Sequence, residues 1–343
     1  MTWIKRRSHF LALDTIWMRR LSDNRHSMTF HLPPTRPSHP AVRVAVATPA
    51  LLGEGPMWLA GEAALWYCDI PAHRLHRFDP ANGENRHWDF HTDIGSGAPC
   101  ADGSFLLALR DGLWHFDPRD DRRAQIAPAP YDTGTCRFND GKCDSAGRFW
   151  VGTLDEARRP QAGLYCFEGG RLEQRQDGIT VSNGLAWSPD AQTMYWADTT
   201  SHTVWAFDYD PANGAMSGRR VFARFPPKPA NGSLEGYGGR PDGAAVDAEG
   251  CYWVAMYEGG RVLRFSPGGE LLREVLVPAL CPTMPCFGGP DLKTVYVTSA
   301  SINRSSEELA RLPHSGCLFA FEVDVAGLPV AVATPLPPAD GYT

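Results

Sequence analysis

Short stretches of alternating apolar and polar residues recur along most of this chain, and turns rich in Asp, Gly and Pro separate them. Residues 148–152 follow such a turn at 144–147, and residues 251–255 follow another at 247–250. Alternation with a period of two is typical of half-buried strands, which β-branched and aromatic residues favour. Because no long segment shows a helical period, the pattern predicts an all-β protein.

One position of this pattern recurs six times, at intervals of roughly 40–57 residues. Its occupants are Trp66, Leu107, Trp150, Trp196, Trp253 and Tyr296. A further strand pattern follows four of them, at residues 75–80, 112–118, 204–209 and 261–267. Units of this length hold four strands each, so six units predict a six-bladed β-propeller. A β-sandwich or another repeat array is the alternative.

The ends of the repeat indicate how the ring closes and where the domain lies. An open last blade would expose an unpaired strand edge, so we expect residues 42–47 to pair near residues 317–322. The propeller domain is predicted at 42–335, with a C-terminal tail at 336–343.

Residues 1–41 lack the blade pattern and contain a proline-rich stretch. Arg6 and Arg7 are similar to a twin-arginine export signal, but Asp14 and Arg19 interrupt the short apolar stretch after them. We expect 1–41 to be either a disordered extension or the product of a misassigned start, with Met28 as the true start.

Composition narrows the possible functions. The net charge is −6 without a long basic run, which argues against nucleic-acid binding. No stretch is long and apolar enough to span a membrane, and no segment indicates a required protein partner. Nine cysteines without a Cys-x-x-Cys pair predict reduced, buried thiols and a cytoplasmic protein.

Four loops at one phase of the repeat each offer an oxygen ligand, about twelve residues before the aromatic position. These residues are Glu54, Asn139, Asn183 and Asp242. Taken alone, an Asn or Asp before Gly is more typical of a turn than of a metal ligand. The equivalent loops of the other two units fall near Ser96 and Met284, so charged residues are not general to the repeat. A closed ring gathers equivalent positions around one axis, which predicts a central metal site.

The donor types limit the metal. Glu54, Asn183 and Asp242 are oxygen donors without thiolate or imidazole, which suits Ca²⁺, Mg²⁺ or Mn²⁺. Three ligands with open positions also admit a catalytic Zn²⁺. The chain lacks the Gly-x-Ser-x-Gly elbow of serine hydrolases, so metal-assisted hydrolysis is the favoured chemistry.

Longer motifs carry a family resemblance across residues 42–335. They are GEGPMW (53–58), LWYCDI (65–70), RFNDGK (137–142), SNGLAWS (182–188), FDYD (207–210), PDG (241–243), GGRV (259–262) and CFGG (286–289). In this order they resemble the gluconolactonase/regucalcin/luciferin-regenerating-enzyme family.

The resemblance implies a six-bladed propeller with one divalent metal in its tunnel, held by Glu54, Asn183 and Asp242. It also implies that Asn139 lies near the metal or its substrate and that Arg137 contacts substrate oxygens. The family uses a lid acid after the strand end at 152–153, which makes Glu156 a candidate substrate contact.

We therefore expect a metal-dependent lactonase that opens a sugar lactone to the aldonic acid. Gluconolactone and pentonolactones such as arabinono- or xylonolactone are the candidate substrates, and Asp242 is the candidate general base. Two alternatives stay open: a promiscuous esterase or organophosphate hydrolase on the same site, and a calcium-binding propeller without turnover.

Overall fold

The computed structural model describes residues 41–334, which form twenty-four strands and one short helix. Strands β1 to β5 are Arg43–Val46, Gly53–Leu59, Ala64–Asp69, Arg74–Asp79 and Glu84–Asp89. Strands β6 to β9 are Ile94–Pro99, Phe105–Leu109, Gly112–Asp117 and Arg122–Pro128. Strands β10 to β13 are Cys136–Cys143, Phe149–Asp155, Ala162–Glu168 and Arg171–Ile179. Strands β14 to β17 are Ser182–Trp187, Thr193–Asp198, Thr203–Asp210 and Ala215–Arg224.

Strands β18 to β21 are Arg240–Val246, Tyr252–Tyr257, Arg261–Phe265 and Leu271–Leu276. Strands β22 to β24 are Pro282–Gly288, Thr294–Ser299 and Leu318–Glu322, and helix α1, Ser306–Arg311, lies between the last two. No helix within residues 41–334 is long and apolar enough to cross a membrane.

The strands form six four-stranded sheets. Five sheets use four consecutive strands each, starting at β2, β6, β10, β14 and β18. The first strand of each sheet contacts the first strand of the next, and β22 contacts β2, so the six inner strands close a ring. The predicted six-bladed β-propeller is therefore confirmed.

The sixth blade is completed by the start of the domain. Its strand order is β22-β23-β24-β1, with Arg43 opposite Ala320 and Val44 opposite Phe319. The predicted closing strand is confirmed, and it covers the edge that the last blade would otherwise expose. The predicted extension and tail lie outside the described residues, apart from Ala41, and stay predictions together with the domain bounds.

The recurring position, which holds an aromatic residue in five blades and Leu107 in the second, lies on the second strand of every blade and is buried in all six. In two blades the indole donates to the aspartate of the preceding turn: Trp150 Nε1 to Asp144 (3.2 Å) and Trp253 Nε1 to Asp247 (2.8 Å). Burying the ring while pairing its N–H stabilises blade and turn together. The nine cysteines are buried and free, as predicted.

A C-terminal segment, residues 327–333, crosses one end of the tunnel. Gly327 bridges to Asp247 in the fifth blade, and Ala333 bridges to Cys100 in the second. Beneath this segment lies a cavity of about 190 Å³, lined by the later residues of all six inner strands. Neither predicted carboxylate ligand lines it, because those residues lie earlier on the strands.

Candidate metal and active site

All four predicted loop residues lie on inner strands, at the place where the strand register shifts. The shifts fall between Glu54 and Met57, Phe138 and Gly141, Asn183 and Ala186, and Pro241 and Ala244. Gly55 and Gly184 follow two of these residues with φ of 54° and 63°, which suits glycine. A bulge changes the direction of the side chain beside it. The four residues that share one position in the sequence repeat therefore also share one position in the structure, at the bulge of an inner strand.

Hydrogen bonds join the predicted residues across three blades. Arg137 Nη1 donates to Asn139 Oδ1 (2.7 Å), and Asn139 Nδ2 donates to Asn183 Oδ1 (2.8 Å). Asn183 Nδ2 in turn donates to Asp242 Oδ1 (2.6 Å). All four side chains are buried, so this chain of hydrogen bonds fixes them relative to one another.

Thr199, which sequence reasoning missed, anchors the same chain. Asn183 Nδ2 also donates to Thr199 Oγ1 (2.8 Å), and that hydroxyl donates to the carbonyl of Pro241 (2.7 Å). Thr199 thereby ties Asn183 to the backbone beside Asp242. The only sequence signal for it is a hydroxyl residue directly after β15.

Two carboxylates of the site, Glu54 and Asp242, are buried. Glu54 is 7% exposed and Asp242 is 6% exposed, and no ion pair joins either one to a residue in the range 41–334. Burial raises the pKa of Asp242 to about 8. The negative charge of Asp140 contributes to this rise, whereas the positive charges of Arg240, Arg137 and Arg158 oppose it. Burial, then the charges of Asp242 and Asp140, raises the pKa of Glu54.

These residues fit a divalent cation. Two buried carboxylates that repel each other are stabilised by positive charge between them, and Asn183 adds a neutral oxygen donor. In the part of the chain that the structure describes, no group of three His, Cys, Asp or Glu side chains has a metal-site arrangement. The donor set therefore depends on the amide of Asn183 and on open positions for water or substrate.

Asp140 is a second residue whose importance the sequence did not reveal. One carboxylate oxygen accepts from the Leu185 N–H (2.9 Å), and its buried Oδ1 has no partner within residues 41–334. Burial raises its pKa, while the nearby charge of Lys142 opposes the rise. Lys142 itself is held by the Ala244 carbonyl (2.7 Å). Asp140 thus adds negative charge beneath Glu54 and Asp242.

Glu156 lies apart from the other predicted residues, at the rim. Its side chain is 45% exposed and pairs with Arg110 Nη2 at 2.6 Å. Arg110 also pairs with Asp93 at 2.7 Å. The structure thus brings Arg137, Asn139, Asn183 and Asp242 together, with Glu54 in electrostatic range, and leaves Glu156 outside this group.

The sequence model of the SMP-30/gluconolactonase/LRE-like region matches residues 52–301. The chain is 42% identical to 6-deoxy-6-sulfogluconolactonase of Pseudomonas putida over 290 residues, covering 83% of this chain and 96% of that protein. It is 35% identical to regucalcin of Xenopus laevis over 276 residues, covering 78% and 89%.

A solved structure agrees with these sequence matches. The crystal structure of a calcium-binding protein, regucalcin, from Agrobacterium tumefaciens superposes with a TM-score of 0.80 at 28% identity. The superposition covers 86% of this chain and 98% of that one.

Proposed function

The chain belongs to the SMP-30/gluconolactonase/LRE-like family, and from this premise we propose that it hydrolyses a sugar lactone to the aldonic acid with the help of one divalent cation. The observation that carries the proposal is the pair of buried carboxylates, Glu54 and Asp242, beside the Asn183 amide. Lactonases are carboxylic-ester hydrolases, the class to which the named lactonase relative belongs.

Glu54, Asn183 and Asp242 would hold the cation, and their oxygen donors suit Ca²⁺, Mg²⁺, Mn²⁺ or Zn²⁺. When bound, such a cation supplies Lewis-acid polarisation of the lactone carbonyl.

Asp242 is the proposed general base. Its Oδ1 accepts from Asn183 Nδ2, while Oδ2 accepts no hydrogen bond from residues 41–334. As the oxygen of water bonds to the lactone carbonyl carbon, Oδ2 would accept the released proton. The ring C–O bond then breaks, and a proton passes to the departing hydroxyl oxygen.

Arg137 and Asn139 would orient the substrate. Arg137 uses Nη1 to donate to Phe138 O (2.9 Å) and Asn139, and its Nε and Nη2 donate to no group in the described part of the chain. Those donors are available for ring oxygens at the tunnel mouth. We keep Glu156 as a proposed rim contact, which would have to exchange its ion pair with Arg110 for substrate.

The names of the relatives suggest the class of substrate. The P. putida relative is named for a gluconolactone with a sulfo group at carbon 6, and the family description names gluconolactonase. Glucono-1,5-lactone is therefore the first substrate to test, followed by arabinono- and xylonolactone.

A calcium-binding propeller without turnover is the second candidate, because the regucalcin from Agrobacterium tumefaciens is described as a calcium-binding protein. A pH-stat assay on these lactones, after chelation and after return of each cation, separates the two. If a chelator abolishes lactone hydrolysis and a returned cation restores it, the result supports the proposed lactonase function. Binding of a cation without hydrolysis of any lactone contradicts it and favours the second candidate.

A further inference from the structure

Two segments at the tunnel mouth, where the inner strands begin, are longer than the other connections there. Residues 225–239 connect the outer strand of the fourth blade to β18, near whose start Asp242 lies. The other connections that lead into an inner strand are residues 47–52, 90–93, 129–135, 180–181 and 277–281. Residues 300–317 connect β23 to β24 at the same end, because Ser299 lies opposite Pro282 at the start of β22. We call these two segments the mouth wall.

The first segment of the mouth wall is held by a tyrosine at its end. Most residues between 229 and 236 are exposed, whereas Tyr237 is buried. Its hydroxyl lies 2.6 Å from His202 Nε2, and His202 Nδ1 lies 3.0 Å from the Thr200 carbonyl oxygen. Because a carbonyl can only accept, Nδ1 carries the proton and Nε2 accepts from the tyrosine hydroxyl. The hydrogen bond therefore fixes Tyr237 on the fourth blade.

The turn that contains His202 also supports the proposed metal site. The His202 N–H donates to the Thr199 carbonyl (3.3 Å), and Thr199 Oγ1 accepts from Asn183 Nδ2 (2.8 Å). Tyr237 is thus held by the same short turn that anchors the Asn183 amide. The mouth wall and the proposed ligand share one support.

Glu258, in the turn between β19 and β20, joins the two segments of the mouth wall. Its buried carboxylate accepts from Lys228 Nζ (2.9 Å) of the first segment and from Arg304 Nη1 (3.0 Å) of the second. Arg240 Nη2 lies 3.5 Å from the same carboxylate. Breaking a buried ion pair leaves an uncompensated charge, which is costly. The two segments are therefore held together as one body.

The opposite side of the mouth has only short connections. On the first three blades, the loops at this end are residues 70–73, 90–93, 110–111, 129–135 and 156–161. The third blade carries Arg137 and Asn139, and its inner strand lies across the ring from that of the sixth blade. A sugar ring oriented by these two side chains would therefore extend across the tunnel towards the mouth wall.

We propose that the mouth wall is a specificity-determining element, which admits lactones of a single sugar and excludes aldonolactones that carry a second sugar. Glu258 and Tyr237 are its positioning residues. A wall held by buried bonds does not yield easily, so it discriminates by steric exclusion of the larger substrate. This inference rests on the proposed lactonase function and narrows its substrate class.

The experiment compares kcat/KM for glucono-1,5-lactone with that for cellobiono-1,5-lactone, which carries a second glucose. It uses the wild type and a variant in which two glycines replace residues 230–235, so that Lys228 and Tyr237 stay in place. The wild type should prefer the single-sugar lactone by roughly tenfold or more, and the shortened variant should lose most of this preference. Metal content per chain should be unchanged.

Two point variants test the positioning residues. Tyr237→Phe removes only the hydroxyl, and Glu258→Gln removes the charge that joins the two segments. Each should reduce the preference by roughly two- to tenfold, the range expected for one hydrogen bond. Tyr67→Phe is the control, because it removes a hydroxyl that accepts from Asn85 Nδ2 (3.0 Å) within the first blade. It should leave the preference unchanged.

The ratio of the two kcat/KM values separates positioning from a purely structural role, which would lower both values together. Equal hydrolysis of both lactones by the wild type would overturn the proposal. Wild-type preference in a folded shortened variant would do the same. If the shortened variant does not fold, Tyr237→Phe and Glu258→Gln decide.

If no lactone is hydrolysed, the proposed function fails, and the mouth wall is tested by calorimetry with gluconate and cellobionate on the cation-loaded protein. Tighter binding of gluconate that is lost in the shortened variant, or in Tyr237→Phe, supports the wall. Equal binding of the two acids, or binding of neither, overturns it.

Discussion

Four blades place a carboxylate or amide side chain at the proposed metal site, and two blades place neither at the equivalent positions. The second and sixth blades instead contact the backbone beside the site residues. An added Cβ at Gly95 would lie 2.5 Å from the Phe138 carbonyl oxygen and 3.0 Å from the Asn139 nitrogen. Met284 packs against Gly243 in the same close manner, and Thr283 Oγ1 donates to the Gly53 carbonyl.

The comparison shows that equivalence in a repeat does not mean equal roles. Four inner strands supply the proposed ligands and the hydrogen-bond chain, and the two others position the backbone from which those side chains project. Preorganisation of this kind matters because small displacements of reacting groups cost rate.

The largest effect is expected for a substitution of Asp242, in a blade that carries a proposed ligand. Asp242→Asn keeps an oxygen near the cation but removes the basic carboxylate, so kcat should fall by roughly 10²–10⁴. Asp242→Ala should additionally weaken metal binding. The measurement is steady-state kinetics on glucono-1,5-lactone at saturating cation, together with metal content per chain. A near-native kcat in Asp242→Asn would restrict Asp242 to a ligand role.

The next largest effect is expected for a substitution of Gly95, in a blade that carries no proposed ligand. Gly95→Ala should displace the backbone at Phe138 and Asn139 and lower kcat/KM by roughly 10- to 100-fold, although Gly95 carries no functional group. Gly61→Ala is the control, because its Cβ would meet nothing within 4 Å. Kinetics and melting temperature are measured for both. Unchanged kinetics in folded Gly95→Ala would show that the second blade does not position the site.

A smaller effect separates substrate contact from metal binding. Arg137→Ala removes donors to the substrate but no ligand, so KM should rise or kcat/KM should fall by roughly tenfold. Elemental analysis should still find about one cation per chain, a stoichiometry set by the single ligand group. Glu54→Gln is the counterpart, since it should weaken cation binding and activity together. Loss of metal in Arg137→Ala would reassign this residue to the support of the metal site.

The smallest expected effect is a pH dependence of stability. Folding raises the pKa of Asp242 from 3.8 to about 8, so the metal-free folded state holds a proton that the unfolded state releases. Stability, and with it the melting temperature of the metal-free protein, should therefore fall as the pH rises from 4 to 8. A cation competes with that proton, so its stabilising shift should grow over the same range.

Thermal unfolding from pH 5 to 8, with and without cation, measures this effect. Asp242→Asn should weaken both dependences, and the buried Glu54, whose pKa is also raised, should account for what remains. A cation-induced shift that is independent of pH in the wild type would contradict the assignment of a buried, protonated carboxylate to the metal site.

The sequence by itself determined the six blades, the closing strand and the equivalent positions of Glu54, Asn139, Asn183 and Asp242. Strand alternation and a repeat of fixed length are local properties, and ring closure brings equal phases to one axis.

Tertiary structure alone decided the partners of those residues. Thr199, Asp140 and Gly95 act through contacts between blades. Such contacts join residues far apart in the chain at positions without periodicity. Their burial and unbalanced charge arise only when the ring has closed.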